Sequence, residues 1–261
     1  MIRSTFAAFI LAAFGASALV CAQSANPKEL KVKSQKEAEA IQAMFQAQDP
    51  DGRIAAAMNL ITKFADTDFK STAFYIAAFS AMQKGDLDNV VVYCERAIEA
   101  DDKNYGSMIL LASALAQRTR EFDLDKEEKL GRAEKLAKQA IELVKNAPKP
   151  NPQVTDEQWE AGKKDYMGQA YEALGMSALV RKNYAACAEN LNLAVTNSAQ
   201  PDPATMVRLG SCLRMDKKYD EALAMLDKAL ADPNAAPVVK QAAAQEKIEA
   251  NKAKAADAPK Q

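Results

Sequence analysis

The amino-acid sequence predicts an all-α protein built as a stack of antiparallel helix pairs, because small residues return at one fixed spacing. In three places a small residue is followed by others 12 and then 7 positions later. A small residue is needed where two helices cross closely, so a repeated register predicts a repeated helical hairpin. Abundant Ala, Lys, Glu, Leu and Gln with only 9 glycines also favour helix. The three sets are Ala78, Val90 and Ala97; Gly175, Cys187 and Ala194; and Gly210, Ala222 and Ala229.

Turn and proline signals divide the chain into successive units. Asp49-Pro50-Asp51-Gly52 separates the two helices of the first unit, which keeps the spacing with poorly suited residues, Met44 and Lys63. Gly85 marks the turn of the second unit, since glycine readily adopts a positive φ. The third unit contains a charged insertion between residues 118 and 129. The predicted units are 37–70, 71–104, 105–145, 155–201 and 203–235, followed by a capping helix at 236–253 and a disordered tail at 254–261.

A proline-rich break at 146–152 interrupts the stack after the third unit. Proline lacks the amide hydrogen and pushes its predecessor out of the α region, so this stretch cannot be helical. A long helix is expected to resume at Thr155, because Thr155 and Gln158 have the spacing of a capping box.

The first 22 residues have the pattern of a cleaved secretory signal. A basic residue stands near the start, residues 6–20 are apolar or small, and small residues precede Gln23. The apolar stretch is too short for a membrane span, which needs about 20 residues. The sequence therefore predicts export, to the periplasm or beyond, with residues 23–35 as a flexible spacer.

The cysteines leave two alternatives open. A lipoprotein signal acylated at Cys21 is less favoured, because Val20 stands where such signals carry a very small residue. The three other cysteines fall on apolar helix faces and are interpreted as small core residues. A disulfide between Cys187 and Cys212 in adjacent hairpins is the alternative in an oxidising compartment.

Composition excludes several classes of function. The 34 basic and 35 acidic residues nearly cancel, so no basic surface is expected to bind nucleic acid through its phosphates. Histidine is absent, which excludes Ser-His-Asp and Cys-His catalysis and histidine-bound zinc or haem. The sequence also lacks a glycine-rich phosphate loop, a CxxC pair and a calcium loop. We therefore expect a protein that is not an enzyme, without catalytic residues, cofactor or metal.

A 34-residue helix-turn-helix unit with small residues so placed resembles the tetratricopeptide repeat. The segment 217–223, Lys-Lys-Tyr-Asp-Glu-Ala-Leu, is its most family-like stretch, although the consensus proline is missing almost everywhere. The consensus tryptophan positions hold Phe74, Met108, Tyr171 and Met206. The resemblance implies a right-handed superhelical repeat domain over residues 36–235, with about five repeats and a C-terminal capping helix.

In tetratricopeptide repeats the first helices of successive units line a concave groove, so the resemblance also implies a partner site. Its expected lining is apolar and rich in methionine, which suits an extended or helical apolar segment. The alternatives are that the N-terminal segment or the 155–180 helix fills the groove, or that a second copy packs there. The expected lining residues are Ile41, Phe45, Tyr75, Phe79, Met82, Gln83, Ile109, Ser113, Gln117, Glu172, Met176, Leu179, Val207, Ser211, Arg214 and Met215.

These features together predict an exported scaffold for protein–protein interaction in the bacterial cell envelope. The expected partner is a protein or peptide with an apolar segment, and the mature chain is expected to carry no transmembrane span. The clamp by which some family members hold a terminal carboxylate is not expected, because Tyr75 and Ile109 replace its cations. The alternative is a lipid-anchored or structural subunit of an outer-membrane assembly or secretion complex.

Overall fold

The computed structural model describes residues 23–26, 29–150 and 153–258, so the predicted signal and Cys21 lie outside the described residues. Within the described residues the regular secondary structure is entirely α-helical. Its eleven helices are α1 (Gln35–Gln46), α2 (Pro50–Lys63), α3 (Lys70–Gln83), α4 (Leu87–Ala100), α5 (Tyr105–Arg118), α6 (Lys126–Lys145), α7 (Asp156–Val180), α8 (Tyr184–Asn197), α9 (Pro203–Met215), α10 (Tyr219–Ala231) and α11 (Pro237–Asp257).

Every helix packs against the next one along the chain, from α1 to α11. Contacts between alternate helices join α3 to α5, α5 to α7 and α9 to α11. This order of contacts is that of an elongated stack in which each helix meets its sequence neighbours. The prediction of an all-α stack of helix pairs is confirmed at this level.

The small residues of the repeated spacing lie where helices cross closely. A Cβ atom on Gly175 would lie 2.6 Å from Cγ of Leu191, and one on Gly210 would lie 2.7 Å from Cγ of Leu226. Leucine stands 16 residues after glycine in both pairs. Ala78 belongs to the same set and is fully buried. The sequence spacing thus reflects a real steric requirement at the α7–α8 and α9–α10 crossings.

Local hydrogen bonds set the helix ends on both sides of the proline-rich break. Helix α6 ends at Lys145, and α7 begins after Thr155, whose Oγ1 accepts a 3.1 Å hydrogen bond from the Gln158 amide. The Gln158 side chain accepts in return from the Thr155 amide, which confirms the predicted capping box. The first turns of α7 are then anchored by Trp159, which is 4% exposed and donates its indole N–H to the carbonyl of Ala147.

The predicted flexible spacer is wrong for residues 23–26, which pack against the stack. Gln23 is 3% exposed; its side-chain amide donates to Oγ1 of Thr72 at 3.0 Å. Its carbonyl accepts a 3.0 Å hydrogen bond from the amide of Gly106, and the Ala25 amide donates to the carbonyl of Lys103. These bonds hold the segment across α3 and the start of α5. Such packing cannot be predicted from hydrophobic periodicity, because the segment is irregular.

The predicted disordered tail is also wrong for its first four residues, because α11 continues to Asp257. Lys254 forms an ion pair with Asp220, and the Tyr219 hydroxyl donates to Asp257 at 2.8 Å. Both contacts tie the last turns of α11 to the first turn of α10. None of the helices in the described part of the chain combines the length and apolar character that a membrane crossing requires.

Candidate functional site

Helices α7 and α9 approach each other beside α8 and are joined by hydrogen bonds from Thr205 and Arg208 of α9 to Glu172 of α7. Two cavities, of about 360 and about 230 Å³, lie between these helices. We call this region the α7–α9 gap. The larger cavity is lined by Asp165, Gly168, Gln169, Glu172, Ala194, Val195, Ser198, Ala199, Gln200, Pro201, Asp202 and Thr205. The smaller cavity is lined by Thr119, Glu121, Leu179, Val180, Lys182, Tyr184, Ser211, Arg214 and Met215.

The larger cavity is closed by polar contacts that link its walls. Glu172 accepts hydrogen bonds from Oγ1 of Thr205 at 3.0 Å and from the Arg208 guanidinium at 2.7 Å. Asp165 accepts from the amide of Ala199 at 3.0 Å and from the Ser198 hydroxyl. These carboxylates therefore bridge α7 to α9 and to the segment that leads into it.

The smaller cavity is lined by apolar side chains and by two cations, each of which is paired with a carboxylate. Leu179 and Met215 lie on opposite sides, and Met215 is 42% exposed. Lys182 forms a 2.7 Å ion pair with Glu121 from the loop before α6. The Nε atom of Arg214 donates to Glu246 at 2.9 Å, and its Nη1 atom donates to Sδ of Met215 at 3.3 Å. Such a site can hold an apolar side chain that is flanked by carboxylates.

A disulfide fixes the position of α9 beside the gap. Cys187 on α8 and Cys212 on α9 are fully buried and bonded, with their Cα atoms 5.9 Å apart. Both residues lie in the core as predicted, and they are paired, which is the alternative that the sequence left open. Cys94 is free and buried, and burial raises the pKa of its thiol, so it stays protonated and unreactive.

The C-terminal part of the expected groove converges on the gap. Glu172 lines the larger cavity, and Leu179, Arg214 and Met215 line the smaller one together with Ser211. Neighbouring positions on the same two helices, Met176 and Val207, are partly buried.

The N-terminal part of the expected groove is largely covered by the protein itself. Ile41 and Ile109 are only 1% and 2% exposed, so the prediction that they are accessible to a partner is wrong. Helix α7 packs along α5, and its Tyr166 meets the Tyr105 ring edge to face at 5.0 Å between centroids. The alternative that the 155–180 helix covers part of the groove therefore describes this region.

Tyr75 is tied to the same aromatic cluster. Its phenol is hydrogen-bonded to Tyr166, and desolvation raises the pKa of Tyr75 to about 12. Phe45 and Met82 are partly buried against core residues. Of the expected N-terminal lining, Phe79, Gln83 and Gln117 have exposed side chains, and Ser113 is partly buried.

Sequence analysis missed the contribution of the inserted loop and of the α7–α8 turn. Thr119 and Glu121 precede α6 and line the smaller cavity, as do Lys182 and Tyr184 after α7. The charged insertion was visible in the sequence, but its ion pair with the turn after α7 joins Glu121 to Lys182, 61 residues further along the chain. A periodic pattern carries no signal for such a contact.

Comparison of the chain with protein-family models, with curated proteins and with solved structures found no match. No group of three or more acidic or cysteine side chains in the described part of the chain is arranged to hold a metal ion. The α7–α9 gap is therefore the candidate site on which a function can be proposed.

Proposed function

We propose that this chain is an exported, tetratricopeptide-like scaffold that binds a protein partner in the α7–α9 gap and performs no catalysis. In this proposal the helix pairs form a right-handed superhelix of about five repeats. The observation that carries it is the smaller cavity, where apolar Leu179 of α7 and Met215 of α9 are accessible, and where a disulfide bonds α9 to α8. Accessible apolar surface within a rigid frame is typical of partner sites.

The chemistry of the smaller cavity selects a partner segment with an apolar residue next to acidic ones. Met215 and Leu179 offer an adaptable apolar contact. Arg214 lines the same cavity and keeps N–H donors beyond those bonded to Glu246 and Met215, so its planar fork can also pair with a carboxylate of the partner. Burial of a carboxylate without such a cation would be costly, so the cations favour an acidic segment over a neutral one.

Export to the periplasm or cell surface is part of the proposal. The Cys187–Cys212 disulfide supports it, because disulfides persist in oxidising compartments and are rare in the cytosol. The N-terminal signal pattern supports it as well. Mass spectrometry of the mature N-terminus separates the two modes of export. A free N-terminus at or near Gln23 supports release, whereas acylated Cys21 supports a lipid anchor.

Site-specific photo-crosslinking in intact cells tests the partner site. A photo-reactive amino acid replaces Met215 in one strain and Val92 in another. Val92 is a suitable control because it is 50% exposed on α4 and lines neither cavity. We expect one discrete protein product from position 215, absent at position 92 and lost when Arg214→Ala is added. The same product from both positions, or none from position 215, would contradict the proposal.

A further inference from the structure

The loop between α5 and α6 carries the two most exposed large apolar side chains of the described residues. Phe122 is 88% exposed and Leu124 is 107% exposed. Most of the other residues of this insertion are charged. Full burial of a Phe or Leu side chain contributes about 1.5–3 kcal/mol. Burial of both side chains in an interface would therefore release a substantial free energy. We call residues 121–125 the loop tip.

The loop tip is held in one conformation by its own hydrogen bonds. The Arg120 amide donates to Asp123 at 3.0 Å, and the Asp123 amide donates to the Arg120 carbonyl at 3.2 Å. Lys129 pairs with Asp125 at 2.8 Å, and the Thr119 hydroxyl donates to the Leu115 carbonyl at 2.7 Å. Binding through such a preorganised element loses little conformational entropy.

The loop tip matches the smaller cavity in character. Phe122 and Leu124 alternate with Asp123 and Asp125 along the tip. The cavity is lined by apolar Leu179, Val180 and Met215, together with Lys182 and Arg214, which are paired with Glu121 and Glu246. Phe122 and Leu124 would meet this apolar lining. Asp123 and Asp125, at present paired with Lys129, would face the N–H donors of Arg214 that its present contacts leave over.

The loop tip and the smaller cavity also lie side by side on one surface. Glu121 is a lining residue of the cavity, while Phe122, the next residue, is directed away into solvent. A two-fold symmetric contact requires one patch that is complementary to itself. A projection beside a matching cavity satisfies this requirement, because two copies can exchange projections about one axis.

We propose that the occupant of the smaller cavity is a second copy of this chain, which inserts its loop tip while receiving the partner's. This inference rests on the proposed function and names the partner of the same site. The acidic tip disfavours insertion into an anionic membrane, because its carboxylates would be repelled by the lipid headgroups. The contact is small, so the dimer is expected to be weak and reversible.

Sedimentation equilibrium of the purified mature chain over a wide concentration range tests the proposal. We expect reversible dimerisation of the wild type and at least tenfold weaker dimerisation of Phe122→Ser with Leu124→Ser. Val238→Ser with Ile248→Ser is the matched control, since these residues of α11 are 71% and 50% exposed and lie outside the cavity. The control should dimerise as the wild type does. Melting temperatures of both variants should equal that of the wild type, which separates lost association from lost folding.

A second measurement locates the contact. A photo-reactive amino acid in place of Phe122, in a mixture of isotope-labelled and unlabelled chains, should cross-link between chains to residues 179–184 or 211–215. The proposal would be overturned if the wild type is monomeric at every concentration, if the loop-tip variant dimerises as strongly as the wild type, or if the cross-links fall elsewhere. Vesicle binding that depends on Phe122 without self-association would overturn it too.

The outcomes separate this inference from the proposed function. If position 215 cross-links a different protein in cells while the purified chain is monomeric, the binding function stands and the second copy is wrong. If position 215 cross-links nothing, both fail.

Discussion

Cys187 on α8 and Cys212 on α9 are bonded across a sequence separation of 25 residues, next to the gap between α7 and α9. A cross-link of this span constrains the unfolded chain and stabilises the folded state by about 3 kcal/mol. It joins helices of two successive pairs, so its loss affects the junction as well as the unfolded ensemble.

Reduction of the disulfide should therefore lower the free energy of unfolding by about 2–4 kcal/mol, measured by urea denaturation with and without dithiothreitol. The double variant Cys187→Ala with Cys212→Ala should be as stable as the reduced protein, and dithiothreitol should not change its free energy of unfolding. Cys94→Ala should remain sensitive, because Cys94 is the free cysteine of the described residues. Equal stability of the oxidised and reduced wild type would contradict a structural disulfide.

Gly210→Leu should destabilise the protein by about 1–3 kcal/mol or more, because α9 and α10 leave no space for a side chain there. Even a Cβ atom at Gly210 would lie 2.7 Å from Leu226. The measurement is again the free energy of unfolding in urea.

Gly131 provides the opposite control, since no heavy atom lies within 4 Å of a Cβ built there. It lies within α6, so Gly131→Ala should stabilise the protein by up to about 1 kcal/mol through helix propensity. Similar effects at both glycines would mean that the α9–α10 crossing is not close.

The fold was predictable because its main constraint is local and periodic. Gly175 and Gly210 mark crossings that recur at one spacing, and sequence shows such a spacing directly. The packing of Gln23 was not predictable, because three bonds from an irregular segment determine it. The signal that could have revealed it is Gly106, a glycine inside α5 that belongs to no repeated small position.

The candidate site was predictable only in part, for a related reason. Leu179 and Met215 occupy similar positions on the first helices of successive units, so they were predicted to share a surface. Both line the smaller cavity. The same rule placed Ile109 on that surface, but the long α7 covers α5 there. Coverage depends on how far one helix extends past its neighbour, which a repeat pattern does not encode.

Tyr75→Phe should flatten the dependence of stability on alkaline pH. Burial raises the pKa of Tyr75 to about 12, above its ordinary value near 10. The unfolded chain therefore releases this proton first, so the stabilisation is complete below pH 10 and is lost as the pH rises to 12. The loss amounts to about 2 kcal/mol for this group. Urea denaturation at pH 9 and pH 11.5 measures it.

Tyr105 serves as an internal comparison, because burial raises its pKa as well. The Tyr75→Phe variant should therefore retain part of the alkaline loss. An unchanged pH dependence would mean that the Tyr75 hydroxyl is solvated rather than buried against Tyr166.

Gly106→Ala should release the N-terminal segment from the stack. A Cβ atom at Gly106 would lie 2.7 Å from Cβ of Gln23 and 2.8 Å from Cε2 of Tyr75. The clash should outweigh the gain in helix propensity and cost about 1 kcal/mol, with faster amide hydrogen exchange at Ala25 and Gly106. Gln23→Gly removes one of the two clashing atoms, so in a double-mutant cycle it should suppress part of the cost. Strictly additive effects would show that the segment does not pack on α5.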